Sequence, residues 1–356
     1  MLSVDVIVKT PERIEKINAV AKMLPPNELM QEMFNCQVTF RNEIGFYKTM
    51  VPTLQHFQRE HGVTEVIDFS PKYYGSRSNL NGSTKIDTNA VLLLENLKVQ
   101  NFVNFERTEG FDLEVSKLII RDLAHLHAVP LALKLQKPEV FETAIMQFLS
   151  SLVLQEEVLK DLKEKYDKII NNVDDLKPYL ERLKKVSLDV YPPGPPREPF
   201  ATVSHNDCWV NNTMIQIKDG KPFKSKLVDY QLCDYGSPAK DVLFFLFSSV
   251  QNHILEKHYD DLIEFYHKTF TSTLVELHCE TTEFSLEAFK KELDYEAKHT
   301  QFVHTVLMLF PIFAPRGTVT DIVELKPTDI GNSEPTGLHK QKLLFVVKEF
   351  ARRNWI

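Results

Sequence analysis

The chain has 356 residues, 43% of them hydrophobic, and a formal net charge of −7 at neutral pH. That length and apolar content suffice for a large core and for two lobes or domains, and the acidic balance argues against a nucleic-acid partner, which calls for a basic face. Cys36, Cys208, Cys233 and Cys279 form no Cys-x-x-Cys pair, so they indicate neither a zinc site nor a disulfide framework and read as reduced thiols.

The N-terminus, MLSVDVIVKTPER, meets charge too early for a secretory signal, and no apolar run reaches the ~18 residues of a membrane span. A cytoplasmic protein is expected. Val4 to Val8 and Asn18 to Met23 read as two strands separated by the charged TPERIEK. Lys22, in VAKML, either edges this sheet or is the strand lysine that holds nucleotide phosphates. From Cys36 to Phe57 the residues Phe40, Ile44, Tyr47 and Leu54 recur at helical spacing with Glu43 on their stripe. A carboxylate there either reaches water at the stripe's margin or takes a buried partner, for which Lys22 is the economical choice.

Val66 to Phe69 and Ala90 to Leu94 read as further strands, with the polar SRSNLNGSTKIDTN as a loop between them and Glu95-Asn96-Leu97 as a strand end. Leu113 to Ala128 is strongly amphipathic and predicts a helix in which His127 is a packed core histidine. Gln155 to Val186 alternates charges around apolar positions, the pattern of a solvent-facing helical insertion. The proline-rich stretch from Tyr191 to Pro199 is too stiff for a central strand and reads as a surface connector.

That connector leads into VSHNDCWVNNTMIQIKDGKPFKSKLVDYQ, residues 203 to 231, where polar residues fall between strand signals. Asp207 and Asn212 stand in a His-x-Asp-x-x-x-x-Asn pattern, the spacing by which a kinase catalytic loop sets a base beside a metal ligand. TMIQI and KSKLVDY alternate apolar and polar around an Asp-Gly turn and predict a β-hairpin. The hairpin returns Asp229 to the neighbourhood of Asn212, so that a carboxylate and an amide converge where Mg²⁺, which takes oxygen ligands, can bridge ATP phosphates. Ser237-Pro238 then opens an apolar helix over Asp241 to Val250. Residues 251 to 356 are helical by periodicity, and Phe302, Phe310 and Phe313 are either core or the wall of an apolar pocket.

The run His205-Asn206-Asp207-Cys208-Trp209-Val210-Asn211-Asn212, then Asp229-Tyr230-Gln231 and Tyr235-Gly236-Ser237-Pro238-Ala239 with Asp241, resembles the ecdysteroid kinase-like group of the CHK kinase-like proteins, relatives of the aminoglycoside and choline phosphotransferases. Asn206 stands where that group has glycine, a tolerable exchange because Asn visits positive φ. The resemblance implies an α+β, bilobal protein-kinase-like fold, with a nucleotide-binding lobe over residues 1–95 and a catalytic and substrate lobe over 96–356. It implies ATP and Mg²⁺ as cofactors, Lys22 held by Glu43 on the phosphates, and a hinge at Glu95-Asn96-Leu97 that meets the adenine through backbone groups. Asp207 is then the base, Asn212 and Asp229 the metal ligands, Asp241 a brace for the catalytic loop or a first-turn carboxylate, and the acceptor a small hydroxylated molecule, steroid-like or otherwise hydrophobic.

One departure bears on activity. No glycine precedes Gly45, so the Gly-rich turn that covers the phosphates in kinases has no counterpart before Lys22, through either truncation or loss. The rival to a small-molecule kinase is therefore a binding protein of the same fold without catalysis. A protein kinase fits less well, because no activation-loop stretch separates Asp229 from the Ser237-Pro238 helix start.

Overall fold

A computed structural model of the chain describes residues 1–25, 31–32, 35–151, 153, 156–188, 194–314 and 336–356. Strands β1 (Leu2–Lys9) and β2 (Ile14–Met23) form a hairpin in which Leu2 faces Ala21 and Lys9 faces Ile14. Only Thr10 to Arg13 turns, closed by the Thr10 N–H on the Arg13 carbonyl at 2.8 Å. Both strands thus outrun their expected lengths, and Ile14 to Lys16 of TPERIEK are drawn into β2. Ladder bonds and a cross-strand ion pair, Lys16 with Asp5 at 2.9 Å, favour charged residues on this solvated face.

Strand β2 pairs with β4 (Val91–Glu95), and β4 with β3 (Tyr73–Arg77), giving an antiparallel sheet in the order β1-β2-β4-β3. The strand expected at Val66 to Phe69 does not form. The Ile67 N–H is taken by the Gln58 side chain at 2.8 Å, and the Phe69 carbonyl accepts the isolated Leu227 N–H at 2.7 Å and the Tyr230 hydroxyl at 3.4 Å. β3 instead draws Ser76 and Arg77 out of the predicted loop, because β4 offers them a ladder.

Between β2 and β3 run α1 (Cys36–Gly45), a π-helical turn (Phe46–Met50) and α2 (Val51–Glu60), one continuous rod. At Gly45 a Cβ would stand 2.1 Å from the Phe148 ring, so only glycine admits this contact between the rod and the helical part of the molecule.

Beyond β4 helices dominate. α3 (Leu113–Gln136) opens on Asp112, whose carboxylate accepts the Val115 N–H at 2.9 Å. It runs eight residues past its predicted end, straight through Pro130, because Leu126 to Leu133 are all buried and packing overrides the proline. The Thr202 hydroxyl takes up the His127 carbonyl in that turn at 2.8 Å. α4 (Pro138–Ala144), α5 (Glu156–Asn172) and α6 (Leu180–Leu183) follow. α5 and α6 make up the helical insertion; Gln155 at its start and residues 191–193 of the connector lie outside the described residues.

The predicted hairpin is β7 (Thr213–Lys218) with β8 (Lys221–Leu227), turning on Asp219 and Gly220, both at positive φ. Its outer edge pairs with β5 (Phe102–Val103), while β6 (Thr202–Ser204) pairs with β9 (Asp234–Gly236). α7 (Pro238–Ser249) is buried along its whole length behind these strands, its start capped by Ser237. α8 (Asn252–Glu276), α9 (Leu286–Glu296), a second π turn (Ala297–Gln301), α10 (Phe302–Phe313) and α11 (Gly337–Arg352) complete the large helical part. Phe302 is core, packed on Phe350 at 5.1 Å, whereas Phe310 and Phe313 lie against His339. The architecture is α+β: a small sheet region and a larger helical one. Among the described residues, no helix is long and apolar enough to cross a membrane.

Candidate active site

β6 delivers the chain to His205 and β7 carries it away from Thr213, so residues 205 to 212 form a loop anchored at both ends by sheet. Asn206 sits at φ 62°, a left-handed conformation that asparagine accepts better than most residues. The turn aims two consecutive backbone N–H groups, His205 at 2.6 Å and Asn206 at 2.7 Å, at the fully buried Asp241 carboxylate in the first turn of α7. From behind, His127 Nε2 meets the same carboxylate at 2.9 Å, and His127 Nδ1 meets the Tyr266 hydroxyl at 2.7 Å. Burial alone would lift the Asp241 pKa; the His127 bond and charge outweigh it and hold the group below the usual carboxylate range.

In front of the loop, Asn212 Nδ2 donates to both Asp207 Oδ2, at 2.6 Å, and the Asp207 carbonyl, at 2.9 Å. That spends the amide's donors on Asp207 and leaves its oxygen for another partner. The hairpin then sets Asp229 beside Asn212, since the Val228 N–H donates to the Asn212 carbonyl at 2.9 Å. Lys22 on β2 reaches across the sheet region to Asp229 Oδ1 at 2.8 Å and to Glu43 Oε2 at 2.7 Å.

Two carboxylates here share one ammonium, and a third, Asp207, stands beside them without an ion pair. Desolvation, with the Asp229 charge added, lifts Asp207 well above its ordinary pKa, and burial likewise raises Glu43. Burial would pull Lys22 down, but Glu43 and Asp229 outweigh it and keep the ammonium charged. A surplus of negative oxygens suits a hard divalent cation. Among the described residues no three acidic, His or Cys side chains are placed to hold a metal by themselves. The Asn212 amide oxygen and the Asp229 carboxylate are the oxygens of this cluster that could meet a hard cation such as Mg²⁺, with the remaining ligands coming from elsewhere.

Lys22, Glu43, Asn212 and Asp229 line a cleft of about 400 Å³ that extends to Glu95, Asn96 and Leu97. Asp207 is not in that lining and joins it through Asn212. The Glu95 carboxylate is engaged by the Lys72 N–H at 3.2 Å and by Gln100, and Asn96 caps the following turn by accepting the Lys98 N–H at 3.2 Å. Those polar side chains are occupied, and the Glu95 and Asn96 N–H groups are engaged as well, by the Lys72 carbonyl at 2.9 Å and the Asn18 carbonyl at 3.1 Å.

Two contributors escaped the sequence reading. Phe46 stacks on Tyr230 at 3.7 Å, Tyr47 meets it edge-on at 5.6 Å, and Tyr230 lies 4.8 Å from the His205 ring, a buried aromatic column joining the π turn after α1 to the loop. Tyr47 also lines the cleft; its spacing four residues after Glu43 was the available signal. Asn104, whose amide reaches the Thr213 carbonyl at 3.3 Å, has no local signature at all.

The model of the ecdysteroid kinase-like family matches residues 1–279 of the chain. No curated protein matches it. Among solved structures it is similar to spectinomycin phosphotransferase in complex with ADP and spectinomycin, at 9% identity, covering 97% of this chain and 93% of that one with a TM-score of 0.46. Plasmodium vivax ethanolamine kinase is 10% identical over 99% of this chain and 84% of its own, with a TM-score of 0.40. Choline kinase from Cryptosporidium parvum is 12% identical over 85% and 79%, also at 0.40.

Proposed function

The chain belongs to the ecdysteroid kinase-like family, and from that premise we propose that it transfers the γ-phosphoryl group of ATP to a hydroxyl of a hydrophobic, steroid-like small molecule. The observation that carries this reading is the convergence of Lys22, Glu43, Asn212 and Asp229 on one cleft, with Asp207 bonded to its edge through Asn212. The nucleotide lobe is residues 1–95 and the catalytic and substrate lobe 96–356, with adenine against the backbone of Glu95 to Leu97.

In this mechanism Asp207 accepts the proton of the acceptor hydroxyl as its oxygen bonds to the γ-phosphorus and the bond to the ADP oxygen breaks. Its raised pKa makes it a better base than an ordinary carboxylate. Lys22, oriented by Glu43, moves from Asp229 to the phosphates, which frees Asp229 to join Asn212 as an oxygen ligand. Mg²⁺ would supply charge neutralisation between the phosphate groups there. Asp241 and His127 hold the loop so that Asp207 does not have to be organised during the reaction.

A second reading, nucleotide or ligand binding without turnover, has one specific support: the strands beside the cleft carry no glycine before Gly45. The deciding experiment is ATP consumption with Mg²⁺ against a panel of hydroxylated steroids, other apolar alcohols and polar alcohols, with Asp207→Asn as control. Acceptor-dependent turnover lost in that variant supports the kinase. Nucleotide binding without turnover for any acceptor selects the second reading.

A further inference from the structure

A separate cavity of about 240 Å³ lies beneath β9, enclosed by the Gly194–Arg197 connector, β9, the start of α7 and the π turn at Ala297–Gln301. It shares no lining residue with the nucleotide cleft. Its volume is that of about eight water-sized groups, room for a small metabolite.

Three charged side chains form its interior, each more than nine-tenths buried: Asp234, Lys240 and Glu296. Lys240 Nζ sits 2.9 and 3.1 Å from the two Asp234 oxygens. It lies directly over Gly236, where a Cβ would stand 2.5 Å from that nitrogen, so this ion pair is built into the backbone. Glu292, one turn before Glu296 on α9, is matched by Arg197 at 3.2 Å. Glu296 has no such match. Its Oε2 accepts the Thr300 hydroxyl at 2.6 Å, and no Lys, Arg or His nitrogen of the described residues lies within salt-bridge distance. Burial accordingly pushes this carboxyl up in pKa. The wall beside it is one of two π turns among the described residues; the other borders the nucleotide cleft at Tyr47.

We infer that this cavity is a second ligand site, and that it takes a small molecule with an ammonium group, seated against Glu296. Asp234, Lys240 and Glu296 together carry one net negative charge when ionised, and a buried carboxylate with Lys240 and Arg197 only at longer range is stabilised further by a partner that brings both charge and N–H donors into contact. Lys298 and His299 stand exposed at the rim. They disfavour polyamines and suit a ligand whose far end is neutral or anionic, such as an ω-amino acid. The site neighbours the candidate active site through the sheet: Asp234 pairs across from Ser204, the residue before His205.

Calorimetric titration of the full chain with ethylammonium and 4-aminobutyrate, at constant ionic strength and without nucleotide, tests this. Binding of at least one of these amines is expected, weakened about tenfold or more by Glu296→Gln, which removes one charge-assisted bond. Lys298→Glu, at an exposed position that folding does not need, is expected to tighten ethylammonium a few-fold. Asp207→Asn is expected to leave amine binding unchanged. No binding by any probe, equal binding in Glu296→Gln and wild type, or no response to Lys298→Glu would each overturn the inference. Loss of binding in Asp207→Asn would also overturn it, by placing the amine in the acceptor site. Since no ATP turnover is read, failure here is separate from failure of the kinase reading.

Discussion

The loop at 205 to 212 has buried carboxylates on both sides, and the two sides are wired in opposite ways. Behind it, Asp241 accepts two backbone N–H groups and His127, so each of its oxygens is satisfied and its pKa lies below the ordinary range. In front, Asp229 and Glu43 share one ammonium, Asp207 has only the Asn212 amide, and Asp207 and Glu43 are raised. The difference teaches where stability and chemistry are divided. A saturated carboxylate is structural because it already has what it needs, while an under-satisfied cluster is held poised for charges that arrive with a ligand.

The largest expected effect comes from breaking the rear side. Asp241→Asn replaces an acceptor with an amide that cannot satisfy two N–H groups and His127 together. It should lower unfolding stability by about 3–5 kcal/mol in denaturant titrations and abolish turnover with it. Asp207→Asn should do the reverse: turnover falls on the order of 10²–10⁴-fold, while the unfolding midpoint holds or rises, because a carboxylate beside Asp229 is removed. A fall in stability as large as that of Asp241→Asn would erase the contrast between the two sides.

A pH series sharpens it. Asp207 is raised, so turnover should be lost as pH falls through a pKa above the ordinary carboxylate value of about 3.9. Asp241 is lowered, so its contribution to stability is present above its unfolded pKa and lost only as pH falls through its depressed folded value. Activity should therefore disappear at a pH where circular dichroism still reports a folded chain; coincident loss of both would contradict the assignment. The smallest effect belongs to Tyr266→Phe, which removes one hydrogen bond from His127 and should cost about 1 kcal/mol of stability with turnover nearly unchanged.

Much of the candidate site was legible because it is local. The His-x-Asp-x-x-x-x-Asn spacing and the Asp-Gly hairpin bring Asn212 beside Asp229 through short-range backbone geometry, and Ser237-Pro238 starts α7 where capping rules place it. Glu43 was readable as a buried carboxylate from its position on an apolar stripe, and the ion pair with Lys22 matches the partner that burial demanded. Less legible were features decided by neighbours distant in sequence. Val66 to Phe69 has strand composition, yet its backbone groups went to Gln58 and Leu227. Pro130 should end α3, yet the core around Leu126 to Leu133 keeps the helix intact.

By itself, then, the sequence determined the periodic elements, the hairpin and the spacing of Asp207, Asn212 and Asp229, because these depend on residues a few positions apart. Tertiary structure alone decided which carboxylates were satisfied. Whether Asp241 is saturated, Asp207 raised or Glu296 left without a cation depends on donors up to 114 positions away, as for His127 and Asp241, and on how much water the fold excludes from each. Desolvation and pairing are properties of the packed molecule; an apolar stripe pointed to them at Glu43, but no local pattern of residues encodes them at Asp207, Asp241 or Glu296.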